Sequence, residues 1–234
     1  MRGGRVGWIL ALALLLPVRG MAQQRPSAPE AGKLPEPIQE FLLAETAYPQ
    51  DRGEVQLTVE ASHRDETAAR LLAEYGVTDR VQLSVLTPAV HGGTLDEPDP
   101  LTLGALLSLL NTSTLAVSAQ LEVGLSDSDA TEWEPSLVAG AAWGRFQVHG
   151  SAAVGFSGDE TEFSPALGAL LDAGPWTPTL ELTGSAAKEE ASRIALTPGV
   201  YYHFAPGIEL GVGAPIELRG SGFPRLVAKF TFER

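Results

Sequence analysis

From Gly53 to the C-terminus the chain repeats one pattern: segments of about 8 to 11 residues in which apolar side chains alternate with small or polar ones, parted by turn residues. Alternation with a period of two puts all the apolar side chains on one face of an extended strand. In 115–125, Leu115, Val117, Ala119, Leu121, Val123 and Leu125 share a face. In 54–61 Val55, Leu57 and Val59 do so, and in 80–87 Val81, Leu83 and Val85. Further segments read as strands over 68–75, 101–110, 133–143, 146–156, 163–171, 176–184, 193–204, 208–216 and 225–233, giving about twelve. Two of these are less regular. Residues 68–75 hold good helix formers, and 101–110 are apolar on both faces, which suits a helix or a buried strand; both are counted as strands.

After the first segment no run reaches the 18 or so apolar residues of a membrane helix. A chain that crosses lipid without such helices must close its strands into a barrel, because only helices and barrels satisfy every backbone group in hydrocarbon. The fold expected is therefore all-β, an antiparallel transmembrane β-barrel of about twelve strands over residues 53–234. A soluble β-sandwich is the alternative.

The connections support the barrel. Short ones (76–79, 111–113, 144–145, 174–175, 205–207) alternate with longer polar ones (62–67, 88–100, 126–132, 157–162, 187–192, 219–224). Outer-membrane barrels have an even number of strands, short periplasmic turns and longer external loops. With the leader on the periplasmic side, every connection falls on its expected side. Aromatic spacing points the same way. Trp133 and Trp143 stand ten residues apart, as do Phe146 and Phe156 in the next strand. Ten residues cover about 33 Å, which a tilt of about 40° projects to roughly the 25 Å between the aromatic girdles of a barrel. Trp176, Phe230 and Phe232 are further girdle candidates. The last strand sets Leu226, Ala228, Phe230 and Phe232 against Arg225, Lys229 and Glu233. It resembles the aromatic-rich final strand that marks outer-membrane barrels for assembly, except that Glu233 and Arg234 follow the last Phe.

If the long apolar residues face lipid, parity gives the lumen Glu54, Gln56, Thr58, Glu60, Gln82, Ser84, Gln120, Glu122, Gln147, His149, Glu181, Glu209, Glu217 and Lys229. A lipid-facing Lys or Arg costs about 2–4 kcal/mol at the midplane, so charge confined to one parity is informative. Rings of carboxylates can favour cations in a pore; equally, Glu and Lys or Arg can cross-brace a plugged lumen.

The N-terminus reads as a signal peptide over residues 1–22. Arg2 and Arg5 precede the apolar run from Trp8 to Leu16, and Gly20-Met21-Ala22 offers small residues at the cleavage site. Residues 23–52 read as a periplasmic leader ahead of the barrel, punctuated by five prolines, with one or two helical turns over 38–44. Outer-membrane lipid and the barrel-assembly machinery are then the expected partners, with a small-molecule solute for the lumen. A formal net charge of −13 disfavours nucleic acid.

Little chemistry is visible. His149-Gly150-Ser151 has the spacing of a base and nucleophile used by an outer-membrane phospholipase, but parity turns the pair into the lumen. Asp127-Ser128-Asp129 with Glu132 could take a calcium ion, yet a solvated loop looks the same. His63, His91, His149 and His203 are scattered, and with no Cys in the chain no transition-metal site or cofactor is expected.

Glu45-Thr46-Ala47, Gly53-Glu54-Val55-Gln56-Leu57 and the run from Glu74 to Leu83 (EYGVTDRVQL) resemble the opening hairpins of the meta-pathway phenol degradation, or transporter-like, outer-membrane family. The resemblance spans about 45–234 and is specific in the first three strands. It implies a barrel of roughly twelve strands admitting small, often hydrophobic compounds. Where members commonly start the fourth strand with Gly-Asp, this chain has Asp99-Pro100-Leu101, so no phenol substrate is carried over. The function expected is a passive channel or transporter-like barrel for small molecules rather than an enzyme. A non-conducting structural or adhesive barrel is the alternative, and an outer-membrane lipid hydrolase the second.

Overall fold

A computed structural model describes residues 32–91, 100–125, 131–187 and 191–234. Within these residues fourteen strands form one antiparallel sheet: β1 (Val55–His63), β2 (Thr67–Thr78), β3 (Val81–Leu86), β4 (Val90–His91), β5 (Leu101–Asn111), β6 (Leu115–Leu125), β7 (Glu132–Trp143), β8 (Phe146–Ser157), β9 (Glu160–Leu171), β10 (Trp176–Ala187), β11 (Arg193–Ala205), β12 (Ile208–Gly213), β13 (Ile216–Arg219) and β14 (Leu226–Glu233). Each neighbour in the wall follows in chain order, and β1 pairs with both β2 and β14, so the sheet closes. The two short strands β4 and β13 continue β3 and β12 after a break, which makes twelve wall strands. At the seam, Val55 and Arg234 exchange backbone hydrogen bonds of 2.9 Å in both directions. Closure joins the first and last strands, the condition lipid imposes, and among the described residues only the short β4 and β13, towards the end where the longer connections lie, pair on one side alone.

The wall is inside out. Along β6 the outward row includes Leu115, Leu121 and Leu125, all more than a third exposed, while Ala116 and Ser118 on the other parity are fully buried. Leu137 and Trp143 on β7 are 58% and 63% exposed, while buried Gln56, His149, Glu181 and Thr197 reach 0%. A soluble monomer rarely shows a contiguous apolar patch above a few hundred Å². Here such side chains cover the outside of every long strand, as hydrocarbon solvent requires.

The two irregular segments are strands, β2 and β5. Their neighbours β1, β3 and β6 supply the pairing that outweighs the helix propensity of 68–75 and the missing alternation of 101–110. The connection 157–162 is shorter than expected, since β8 and β9 extend to a turn at Gly158-Asp159. The short turns and both chain ends of the barrel lie at one end, here the turn end; the longer connections lie at the other, the loop end.

The leader differs most from expectation. Residues 38–44 form bends and no helix. Residues 33–51 do not trail ahead of the barrel; they pack inside it. Leu34, Ile38, Phe41, Leu42, Ala47 and Tyr48 are all under 5% exposed. The prolines at 35, 37 and 49 oppose regular structure, and the apolar side chains between them find cover only on the inner wall.

Candidate functional site: the lumen and the strap across it

The segment 33–51 is a strap that rises from the turn end to about mid-barrel and comes back. Its base is held at the turn end. Asn111, at the end of β5, accepts from the Leu34 amide at 3.0 Å, and Gln147, at the start of β8, donates to the Pro35 carbonyl at 2.8 Å. The returning limb meets Gln82 and Gln56. Gln82 accepts from the Gln50 amide at 2.7 Å, and the Gln50 side chain donates to Gln56 at 2.7 Å. Lys33 and Asp51 form an ion pair across the two limbs.

The crest of the strap is gripped by charge. One carboxylate, Glu181 in the middle of β10, accepts from three successive amides: Leu42 at 3.1 Å, Leu43 at 2.7 Å and Ala44 at 2.9 Å. Hydrogen bonds to an ionised acceptor are about twice as strong as neutral ones. Glu209 takes the Gln39 amide at 3.0 Å. Lys229 reaches from β14 to Glu40 on the strap at 3.0 Å and Glu60 on β1 at 2.8 Å, and Arg70 also pairs with Glu60.

Shape matches charge. Ile38, Phe41, Leu42 and Ala44 pack on Leu170, Tyr201 and Val227, while Leu34, Ala47 and Tyr48 pack on Ala116, Val138 and Ala142. The wall is thinned where the strap presses. A Cβ at Gly168 would lie 2.8 Å from the Phe41 ring, and Cβ atoms at Gly199 and Gly213 would lie 2.7 Å and 2.4 Å from Leu42 Cδ1. Glycine inside a strand is weak as sheet but allows this approach.

Every lumen candidate from the sequence lies on the inner parity, and most touch the strap. Gln82, Gln147, His149, Glu181, Glu209 and Lys229 are buried and bond to it directly. Glu60 acts through Lys229. Gln120 donates to Glu122 at 2.7 Å, and Glu54, at the turn end, accepts from the Asp51 amide at 2.9 Å. Of the aromatic candidates, Trp133, Trp143, Phe146, Phe156, Trp176, Phe230 and Phe232 are all on the outer face and at least 39% exposed. Trp133 pairs in register with Phe156 towards the loop end and Trp143 with Phe146 at the turn end.

The His149–Ser151 pair has no hydrolase geometry. His149 Nδ1 accepts from the Ala47 amide at 3.3 Å, which leaves the ring proton on Nε2 to be donated to Gln147 at 3.1 Å. Phe41 and Tyr48 close over the ring edge-on at 5.4 and 5.6 Å. The imidazole holds the strap, and Ser151 receives no base from it. The loop Asp127-Ser128-Asp129 lies outside the described residues; Glu132 starts β7 and is exposed.

Beside the crest, towards β1–β6, a polar cavity of about 200 Å³ remains. Glu40 and Glu45 of the strap and Glu60, Arg70, Glu74, Gln120, Glu122 and Lys229 of the wall line it. Sequence reasoning missed Glu74, Arg70 and the whole strap.

Solved structures described as porins or as an outer membrane channel share this wall. The KdgM porin matches with a TM-score of 0.60 at 11% identity, over 76% of this chain and 97% of that one. The fold is that of a porin-like outer-membrane barrel. The NanC porin gives 0.61 at 11% identity over 75% and 97% of the two chains, and the COG4313 outer membrane channel from Pseudomonas putida F1 gives 0.58 at 13% over 80% and 97%. No protein-family model and no curated protein matches the chain. The likeness is thus one of architecture, at 11–13% identity.

Proposed function

We propose that the protein is an exported outer-membrane barrel that acts as a passive channel for small polar molecules. The observation that carries this reading is the inside-out wall: a closed apolar cylinder around a lumen of Gln, Thr, Glu and Lys side chains. The solved barrels of the same architecture are described as porins or channels. Residues 1–22 serve as the cleaved signal peptide, the turn end faces the periplasm, and the outward Trp and Phe residues sit at the two membrane interfaces. Lipid and the barrel-assembly machinery are the partners this placement requires.

The solute is not taken from any neighbour. One KdgM structure is described in complex with disordered oligogalacturonate, an acidic sugar chain. Here the inner wall sets Glu60, Glu74, Glu122, Glu181 and Glu209 against Arg70 and Lys229, and both bases are paired with Glu60. Such a lumen favours neutral and cationic solutes over anions. A phenol substrate has no support beyond the sequence resemblance. The strap favours a second reading, a barrel that never conducts. Planar-bilayer recording on the folded full chain separates the two: discrete current steps are expected, and folded protein that gives none defeats the channel reading.

A further inference from the structure

The geometry points to the strap 33–51 as a removable gate that leaves the lumen as one piece through the turn-end mouth, and the inference rests on the channel reading above. Three observations carry it. First, both limbs of the strap, residues 33–51, stand at the same mouth, tied by the Lys33–Asp51 pair, so the strap can withdraw through that mouth alone. Second, the strap is bounded by Gly32 and Gly53, at φ of 104° and 86°, with open space where a side chain would stand at each; the Gly53 amide, bonded to the Gly76 carbonyl at 2.7 Å, fixes the wall side of that hinge. Left-handed φ in open space is where a chain can swing at little cost. Third, the wall does not depend on the strap. Its ladder closes through β1–β14 and the Val55–Arg234 bonds. The strap is held by wall side chains, among them Glu181, Glu209, Lys229, His149, Ser118, Gln56, Gln82, Asn111 and Gln147. When the strap leaves, water entering the lumen can replace each of those bonds. A structural core would lock into the backbone ladder; this segment is docked on it.

The cavity beside the crest extends the same picture. Lined by Glu40 and Glu45 on one side and by Leu86, Thr102 and Gln120 on the other, it is a part of the lumen that the strap leaves unfilled. Withdrawal joins it to the space below and makes one continuous path.

The chain has no cysteine, so the gate can be locked with an introduced pair. Leu42 Cδ1 lies 2.4 Å from the position of a Cβ on Gly213, so Leu42→Cys with Gly213→Cys brings two thiols together between the crest and β12, and loss of free thiol on oxidation verifies that the bond has formed. In planar bilayers the oxidised variant is expected to carry no current and the reduced variant to conduct. Equal current in both states overturns the gate, because solute would then pass a strap that stays in place. A separate readout does not need conduction. Phe41→Cys, folded as judged by its shift on an unheated gel, is treated with a maleimide. Modification within minutes to hours, at least tenfold faster when Glu181→Ala is added, is expected. No modification in either variant overturns the gate. If no variant conducts but the thiol introduced at position 41 is modified, the channel reading fails and the moving strap survives.

Discussion

Replacing Glu181 by Ala should free the strap without harming the barrel. The carboxylate is fully buried on the inner face of β10 and receives the amides of Leu42, Leu43 and Ala44 at 2.7–3.1 Å. Losing a hydrogen bond to a charged group costs about 1.5–3 kcal/mol. Water entering the space left by the side chain would recover part of three such losses. A net weakening of about 2–4 kcal/mol is therefore expected, and at about 1.4 kcal/mol per factor of ten this raises the withdrawn population roughly 30- to 1000-fold. The wall ladder at this position, Glu181 against Thr197 and Gly168, is made by the backbone and does not change. The assay is single-channel recording beside an unheated-gel shift. Open probability should rise steeply while the shift remains that of the folded barrel. An unchanged open probability in folded protein would refute the view that this carboxylate grips the crest.

Four other outcomes are expected. Gly168→Val, which puts atoms where the Phe41 ring lies 2.8 Å from a Cβ, should displace the strap and increase conductance in protein that still folds; conductance at the wild-type level would contradict the fit of strap to wall. Lys229→Met should leave Glu40 and Glu60 without the cation between them and speed maleimide labelling of a thiol introduced at position 41, with Glu40→Gln restoring part of the protection; breaking such a buried pair costs about 3–5 kcal/mol. Leu121→Arg, near mid-height on the outer face of β6, should destabilise the barrel in vesicles by about 2–4 kcal/mol in a urea titration, and an unaltered midpoint would place that face away from lipid. Reversal potentials in a salt gradient should show cation preference, as the lumen's carboxylates require; anion preference would contradict the assignment of those residues to the conducting path.

The wall was readable from the chain because its solvent is lipid on one side and water on the other, and period-two alternation records that directly. β6 matches the sequence reading residue for residue, and most other strands differ by a few residues at their ends. Even 68–75, with its helix formers, is a strand, since its place between β1 and β3 leaves it no other way to satisfy its backbone. The same parity separates a buried row, with Gln56, Gln147, His149 and Glu181, from the exposed apolar one. The strap was not, because its contacts follow no period: Leu34, Ile38, Phe41, Leu42 and Tyr48 are spaced by the prolines around them and by the wall they meet. Two signals bore on it. A run such as Phe41-Leu42-Leu43 needs cover that a periplasmic leader does not provide. Gly140, Gly168, Gly199 and Gly213 fall on inner positions of β7, β9, β11 and β12, where a small residue implies that something approaches closely.

Because the strap enters as a doubled-back length of chain, its insertion and the closing of the wall are separable events. The seam between β1 and β14 brings the two ends of the barrel's sequence together, while the strap precedes β1 and could wait outside until the ring is complete. The cell would then fold an empty cylinder first and stopper it afterwards. A newly inserted barrel would leak briefly before it seals, and its dye permeability measured against time after folding into vesicles should rise and then decay.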